Sequence, residues 1–319
     1  MRVLLTGGAG FIGSAVLRHL LGRGDEVVVV DCFEETLYPR SIKEAALKES
    51  QEVGDFSFHE LDIRDRAALD AVANAHGPFD GLIHLAAVAG VRPSVDKPSY
   101  YYDINVTGTQ VVLDVARAHG ASERLILASS SSVFGGNHKT PFAESDDVSQ
   151  PVSPYAASKL SVEHLARADH HLHGGNVTCL RFFTVYGPGQ RPEMAIHKFM
   201  RLIDQGEPIP MFGDGSTGRD YTYIDDIVAG VVASLDRASG FSVYNLGGDR
   251  VVLLRDLIAK ISETVGKPAL IEQLPMQPGD VPLTMADVGR ARRELDYAPE
   301  TPIEEGLVKM WRWYRTKRD

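Results

Sequence analysis

Tyr155 and Lys159 stand four residues apart in SPYAASK. On a helix that spacing puts both side chains on one face. An ammonium beside a phenol favours the phenolate, so Tyr155 could accept a proton near neutral pH. Alone, the pair marks no more than a helix surface, and its neighbours give it weight. Upstream, ASSSSVFGG from Ala128 to Gly136 sets four hydroxyls behind an apolar run and contains no carboxylate. A hydroxyl cannot exchange protons as a carboxylic acid does at neutral pH, but it can hold an anion without repelling it.

A third cluster is TGGAGFIG, Thr6 to Gly13, with glycines at 7, 8, 10 and 13. Glycine permits a tight turn and lets backbone N–H groups approach a pyrophosphate at a helix N-terminus. The acid ending the next apolar run, Asp31, can accept hydrogen bonds from an adenosine ribose. A carboxylate there repels a 2′-phosphate, which favours NAD over NADP. Asp62 and Ile63 end a third run, where an adenine edge would rest.

These clusters need elements to hold them. RVLLT, EVVVVD, FSFHELD, FDGLIHLAA, RLILASS and NVTCLRFF are β-rich runs separated by helix-length segments. Continuous apolar runs fit strands buried on both faces. The rhythm implies an α/β fold, a Rossmann-type doubly wound parallel sheet. After Gly187 the chain becomes rich in Pro and Gly, and from about Arg250 it reads as mostly helical, with the loop LPMQPGDVP inside. The expected division is a dinucleotide domain over residues 1–178, also receiving about 222–247, and a smaller C-terminal α/β substrate domain over 179–319. The chain would cross between them.

Composition narrows the partners. The chain has 319 residues, 44% of them hydrophobic, and a formal charge of −10. That supports a large core and opposes a nucleic-acid footprint, which needs a basic face. Two cysteines, Cys32 and Cys179, make no disulfide framework. The opening run MRVLLTGGAG is too short for a signal segment, and no stretch approaches the roughly 20 apolar residues that span a bilayer. A cytoplasmic protein is expected. His170, His171 and His173 lack further ligands at metal spacing and read as a surface cluster, so no metal is expected. The terminal MWRWYRTKRD reads as a helix packing Trp311 or Tyr314 under a solvated basic face.

Taken together, TGGAGFIG, Asp31, HLAA at 84–87, Asn105, the serine stretch, Tyr155-x-x-x-Lys159 and RDYTYIDD at 219–226 resemble the extended short-chain dehydrogenase/reductase superfamily. Within it they resemble the NAD-dependent sugar-nucleotide epimerase/dehydratase family. The resemblance covers essentially the whole chain. It implies NAD held by Gly7, Gly10, Phe11, Ile12, Gly13, Asp31, Asp62, Ile63, Leu85, Ala86, Ala87, Asn105, Tyr155 and Lys159. Tyr155 would be the base, and Lys159 would also bond the nicotinamide ribose. Ser130 takes the place of the family's catalytic Ser or Thr, beside the sugar 4-oxygen, and Ser132 joins the catalytic set.

The next two positions distinguish chemistries within the family. Dehydratases resemble one another in carrying Asp-Glu there, and UDP-glucuronate decarboxylases in carrying Glu at the second. This chain has Ser131 and Ser132, which disfavours dehydration and suits an acidic sugar. A plainer alternative is that one serine acts and the others cap strand and turn groups. RFFTVYGPGQRPEMAIHKF, 181–199, and LPMQPGDV, 274–281, resemble the UDP-glucuronate 4-epimerase branch. Gly189-Gln190 departs from the bulkier residue often seen in that loop.

The substrate set implied is Arg92, Ser131, Ser132, Thr184, Arg191, His197, Met211, Phe212, Arg219, Gln277 and Asp280. Thr184 and the serines would hold the carboxylate, with Arg191 close by. Arg219 would pair with the diphosphate, and Met211 and Phe212 would pass the uracil. The implied reaction is reversible C4 epimerisation of UDP-glucuronate and UDP-galacturonate through a 4-keto sugar, with NAD retained. A UDP-glucuronate decarboxylase, a UDP-glucose-type 4-epimerase and an idle NAD-binding regulator are the alternatives. Family members commonly form homodimers through helices near 101–118 and 155–170. DINVTGTQVVLDVARAHG has an apolar stripe for that role, or equally for the core.

Overall fold

The computed structural model describes residues 1–137, 139–237, 239–276 and 281–317. Seven parallel strands form the main sheet: β1 (Arg2–Thr6), β2 (Glu26–Asp31), β3 (Ser57–Glu60), β4 (Gly81–His84), β5 (Leu125–Ser130), β6 (Val177–Phe182) and a late strand, Phe241–Leu246. Three further strands precede that late one in the chain: β7 (Thr184–Tyr186), β8 (Ile209–Phe212) and β9 (Gly218–Tyr223). The late strand is therefore β10, and β11 (Val251–Leu253) and β12 (Ile271–Leu274) follow it. The sheet order is β3-β2-β1-β4-β5-β6-β10. The order reverses between β1 and β4, and the crevice outside their C-terminal ends is where such sheets bind ligands.

Strand alternation builds a core on each face. Val3 and Leu5 of β1, with Val27 and Val29 of β2, pack into one core; Leu4, Val28 and Val30 pack into the other. A strand with both faces buried must be apolar at every position, as EVVVVD is. The covering helices are α1 (Phe11–Arg23), α2 (Arg40–Gln51), α3 (Arg66–His76), the short α4 (Val91–Asp96) and α5 (Pro98–Tyr102), α6 (Gly108–Ala118), α7 (Pro154–His173), α8 (Ala195–Gln205) and α9 (Ile224–Arg237). The C-terminal part adds α10 (Leu254–Val265), α11 (Gly289–Leu295) and α12 (Ile303–Thr316). A π-helical turn, Asp103–Thr107, joins α5 to α6 and carries Asn105. No helix among the described residues is long and apolar enough to cross a membrane.

Two details differ from the sequence reading. The boundary expected at 178/179 falls inside β6, which belongs wholly to the main sheet. The tail is not only helical: β11 pairs with β9, and β12 with β8. β12 escapes a pattern reading because Ile271, Glu272 and Gln273 are all exposed, so pairing alone defines it. The stripe of α6 serves the core, with Val112, Leu113 and Val115 fully buried. The histidine run ends α7, and His170 Nδ1 lies 2.9 Å from the Gly175 carbonyl. Trp311 stacks on Tyr314 in α12.

Asp220 of β9 ties the smaller lobe together. Its Oδ1 accepts from Gly248 N–H (2.6 Å) and Thr222 Oγ1 (3.2 Å). Its Oδ2 accepts from Ala286 N–H (3.0 Å) and Asp249 N–H (3.2 Å). Burial pushes the carboxyl up to about 6 despite these donors. At pH 8 both oxygens act as acceptors, and an amide in either orientation would point N–H at a backbone N–H. Asp220→Asn should therefore cost about 2–3 kcal/mol at pH 8, read from the shift in urea midpoint.

Candidate active site

A cleft of about 800 Å³ runs along the strand ends from Asp31 to Arg219. At one end the turn after β1 forms a cradle. Gly7 has φ +76° and approaches the chain leaving β4 so closely that a Cβ would lie 2.5 Å from Ala86 N. A Cβ on Gly13 would lie 2.0 Å from the Gly7 carbonyl. The N-cap of α1 is Gly10, with no side-chain cap, which leaves first-turn N–H groups for a ligand. Phe11, Ile12, Leu85, Ala86 and Ala87 line the same end. Asp31 is buried there, accepting from Ala9 N–H (3.1 Å) and Phe33 N–H (2.9 Å). Burial raises its pKa, and the Phe33 N–H partly offsets that. Asp62 lines the cleft beside Ile63, its carboxyl held low by the Arg64 guanidinium. Glycines that admit no Cβ, an uncapped helix and a buried carboxylate fit a dinucleotide with a free ribose.

The residues at this end that escaped the sequence reading include Cys32, Glu34, Tyr38 and Lys43. Lys43 donates to the Glu34 carbonyl and lies over the Tyr38 ring. The available signal was a lysine on the buried stripe of α2, which continues through Leu47 and Ser50.

Asn105 does not line the cleft; it positions what does. Its Oδ1 accepts from Val88 N–H (2.9 Å), and its Nδ2 donates to the Val88 carbonyl (3.0 Å) and Ser158 Oγ (3.0 Å). The chain after β4 is thereby pinned to α7. Behind it His84 is buried between Thr6 Oγ1 (2.6 Å) and Thr109 Oγ1 (2.9 Å). Desolvation, and then the charge of Lys159, pushes its pKa down to about 3, so it stays neutral.

The serines divide their work. Ser129 Oγ donates to Glu163 Oε1 (2.5 Å), which also pairs with buried Arg181. Ser129 is thus a structural hydroxyl. Ser130 Oγ accepts from Ser132 N–H (3.2 Å) and from Ser132 Oγ (2.9 Å), and its hydroxyl is near enough to Tyr155 to favour the phenolate. Ser131 lines the cleft with them. Tyr155 enters in the first turn of α7, which starts with Pro154 and is capped by Ser153 Oγ accepting from Ala156 N–H (3.1 Å).

The charge around Tyr155 differs from the expectation. Lys159 Nζ donates to the Ala128 carbonyl (2.9 Å), and desolvation lowers it to about 8. Burial raises Tyr155; the groups that pull it back are the Ser130 hydroxyl and the Arg191 guanidinium. The helical spacing put Lys159 on the right face, but its head reaches down to the strand.

At the far end Thr184, Arg92, Arg191 and Arg219 line the cleft. Arg191 Nη1 lies 3.3 Å from Glu193 Oε1. Arg219 Nη1 donates to its neighbour's carbonyl at Gly218 (2.8 Å). Arg92 lies over the Phe212 ring, 5.4 Å from its centre. Met211, Phe212 and His197 are not among the lining residues. Gln277 and Asp280 lie outside the described residues. Among the described residues, no three His, Cys, Asp or Glu converge on a metal-sized site.

Two links cross the end lined by Asp31: Tyr100 Oη donates to Glu34 Oε1 (2.8 Å), and Arg64 bridges Asp62 and Asp103. Tyr100→Phe removes the first. It should release NAD about fivefold faster, measured as loss of NAD from purified protein on dilution.

Residues 3–247 match the NAD dependent epimerase/dehydratase family. The UDP-glucuronate 4-epimerase of Thermodesulfobacterium geofontis is 40% identical over 97% of this chain and 95% of its own length. UDP-glucuronate 4-epimerase 3 of Arabidopsis thaliana is 41% identical over 98% of this chain and 76% of its own. The crystal structure of UDP-glucuronic acid 4-epimerase from Bacillus cereus, in complex with UDP-glucuronic acid and NAD, superposes with a TM-score of 0.91 at 34% identity, covering 99% of this chain and 100% of that one. UDP-glucose 4-epimerase from Thermotoga maritima with UDP-glucose gives 0.91 at 30% identity, covering 100% of both chains. With its glycine cradle, buried Asp31 and Ser130–Tyr155 pair, the chain belongs to the NAD dependent epimerase/dehydratase family.

Proposed function

We propose that this protein is a UDP-glucuronate 4-epimerase that interconverts UDP-glucuronate and UDP-galacturonate. One observation carries the uronate reading. Among the described lining residues, the carboxylates Asp31, Glu34 and Asp62 all sit at the adenosine end; the sugar end offers Ser130, Ser131, Ser132 and Thr184 with the guanidinium of Arg191. Such a surface holds an anionic sugar without repelling it. It also lacks the carboxyl acid that dehydration would use.

Tyr155 takes the proton of the 4-hydroxyl, steadied by Ser130, which Ser132 holds in place. Bound NAD supplies a hydride acceptor, later a donor, and a positive charge that favours the phenolate. Lys159, anchored on the Ala128 carbonyl, faces the cleft at the ribose position. Arg219 holds the diphosphate and Arg92 lies beside it, so the sugar can turn while the nucleotide stays. Thr184, Ser131 and Arg191 bind the carboxylate. The 4-keto sugar is a β-keto acid, and donors around its carboxylate oppose loss of CO₂.

We further infer that residues 1–182 with 222–247 form the cofactor unit and the rest the substrate unit. We also infer that the protein works in the cytoplasm as a homodimer through the outer faces of α6 and α7. A neutral UDP-sugar is the second reading, favoured by the likeness to the Thermotoga maritima enzyme.

Proton NMR of the purified protein with UDP-glucuronate and no added NAD should show UDP-galacturonate rising to a fixed mixture. A UDP-pentose signal would mean decarboxylation instead, and turnover of UDP-glucose alone would favour the neutral-sugar reading. Tyr155→Phe should lose at least about 10³-fold in turnover while still binding UDP. Arg191→Met removes a charge that favours the phenolate, so the acidic limb of kcat should move to higher pH.

A further inference from the structure

Arg191 sits on a loop, residues 187–194, and a flexible arginine on a loop makes a poor specificity element unless its backbone is fixed. The fixing device lies beside it. Gln190 is 1% exposed, and its amide is hydrogen-bonded through both its nitrogen and its oxygen. Its Nε2 donates to the Val185 carbonyl (2.9 Å), in the residue after Thr184. Its Oε1 accepts from His197 N–H (3.2 Å) in the first turn of α8. Its backbone carbonyl lies 2.5 Å from His197 Nδ1. A carbonyl only accepts, so His197 carries its hydrogen on Nδ1. The ring stands edge-on to Trp313 (5.7 Å) and Tyr314 (5.7 Å) of α12.

We propose that Gln190 and His197 are positioning residues that set the spacing between Thr184 and Arg191, and so the preference for a uronate over a neutral sugar. Gln190 bridges the strand carrying Thr184 and the helix that follows Arg191. His197 locks that bridge and braces it against the C-terminal helix. Neither side chain is among the residues that line the cleft. His197, expected as a substrate ligand, acts through Arg191 instead. The inference rests on the uronate reading above.

The test compares KM for UDP-glucuronate and UDP-glucose with the affinity for UDP alone, by calorimetry. His197→Leu removes the Nδ1 donor, His197→Asn keeps a donor near the same place, and Gln190→Met keeps the volume of the side chain without its bonds. His197→Leu and Gln190→Met should each raise KM for UDP-glucuronate about tenfold. KM for UDP-glucose and the affinity for UDP should stay within about twofold, and His197→Asn should recover most of the loss. A parallel loss of UDP affinity would make His197 a direct ligand and overturn the proposal. So would an unchanged preference in both variants. Wild-type protein that binds UDP-glucuronate no better than UDP-glucose overturns the uronate reading itself, and the inference falls with it.

Discussion

The site depends on how closely the turn after β1 packs against the chain leaving β4. No side-chain atom fits between Gly7 and Ala86, or between Gly13 and the Gly7 carbonyl. That contact aims the start of α1 along the crevice and sets the floor on which a cofactor lies. Asn105 then fixes the far side of the same chain to α7. The helix that carries Tyr155 is thus registered against the cradle through backbone contacts and one amide. Bringing the reacting groups together is a matter of placement, and rigid neighbours provide it.

The carboxylates and the guanidiniums of the cleft gather at opposite ends. Asp31, Glu34 and Asp62 line the end beside the glycine cradle. Arg92, Arg191 and Arg219 line the other end. A chain with a formal charge of −10 therefore keeps a cationic recess for an anionic ligand. Tyr155 lies deep in the cleft, where burial opposes its ionisation.

Much of this was legible in the sequence because it rests on local rules. Four valines in a row gave a buried strand, glycines before a helix gave the cradle, and a four-residue spacing set Tyr155 and Lys159 on one face. What escaped depends on contacts between distant segments. Nothing local says that Ser129 turns toward Glu163 while Ser130 meets Tyr155, or that Lys159 reaches the Ala128 carbonyl. His197 has the look of a ligand in sequence, and only the fold shows its ring bound to Gln190 and packed on α12. β12 carried no pattern, since its residues face outward.

Residues 183–240 leave the main sheet at the end of β6 and return at the start of β10, and those two strands are hydrogen-bonded neighbours. A single helix usually makes such a parallel crossover. Here the crossover also contains β7, the Arg191 loop, α8, β8 and β9 before α9 closes it. Both attachment points are fixed by the sheet, whatever the intervening chain does. The crossover is thus an exchangeable cassette: descendants could rewrite the cleft residues it carries, Thr184, Arg191 and Arg219, without altering the register of the main sheet's strands.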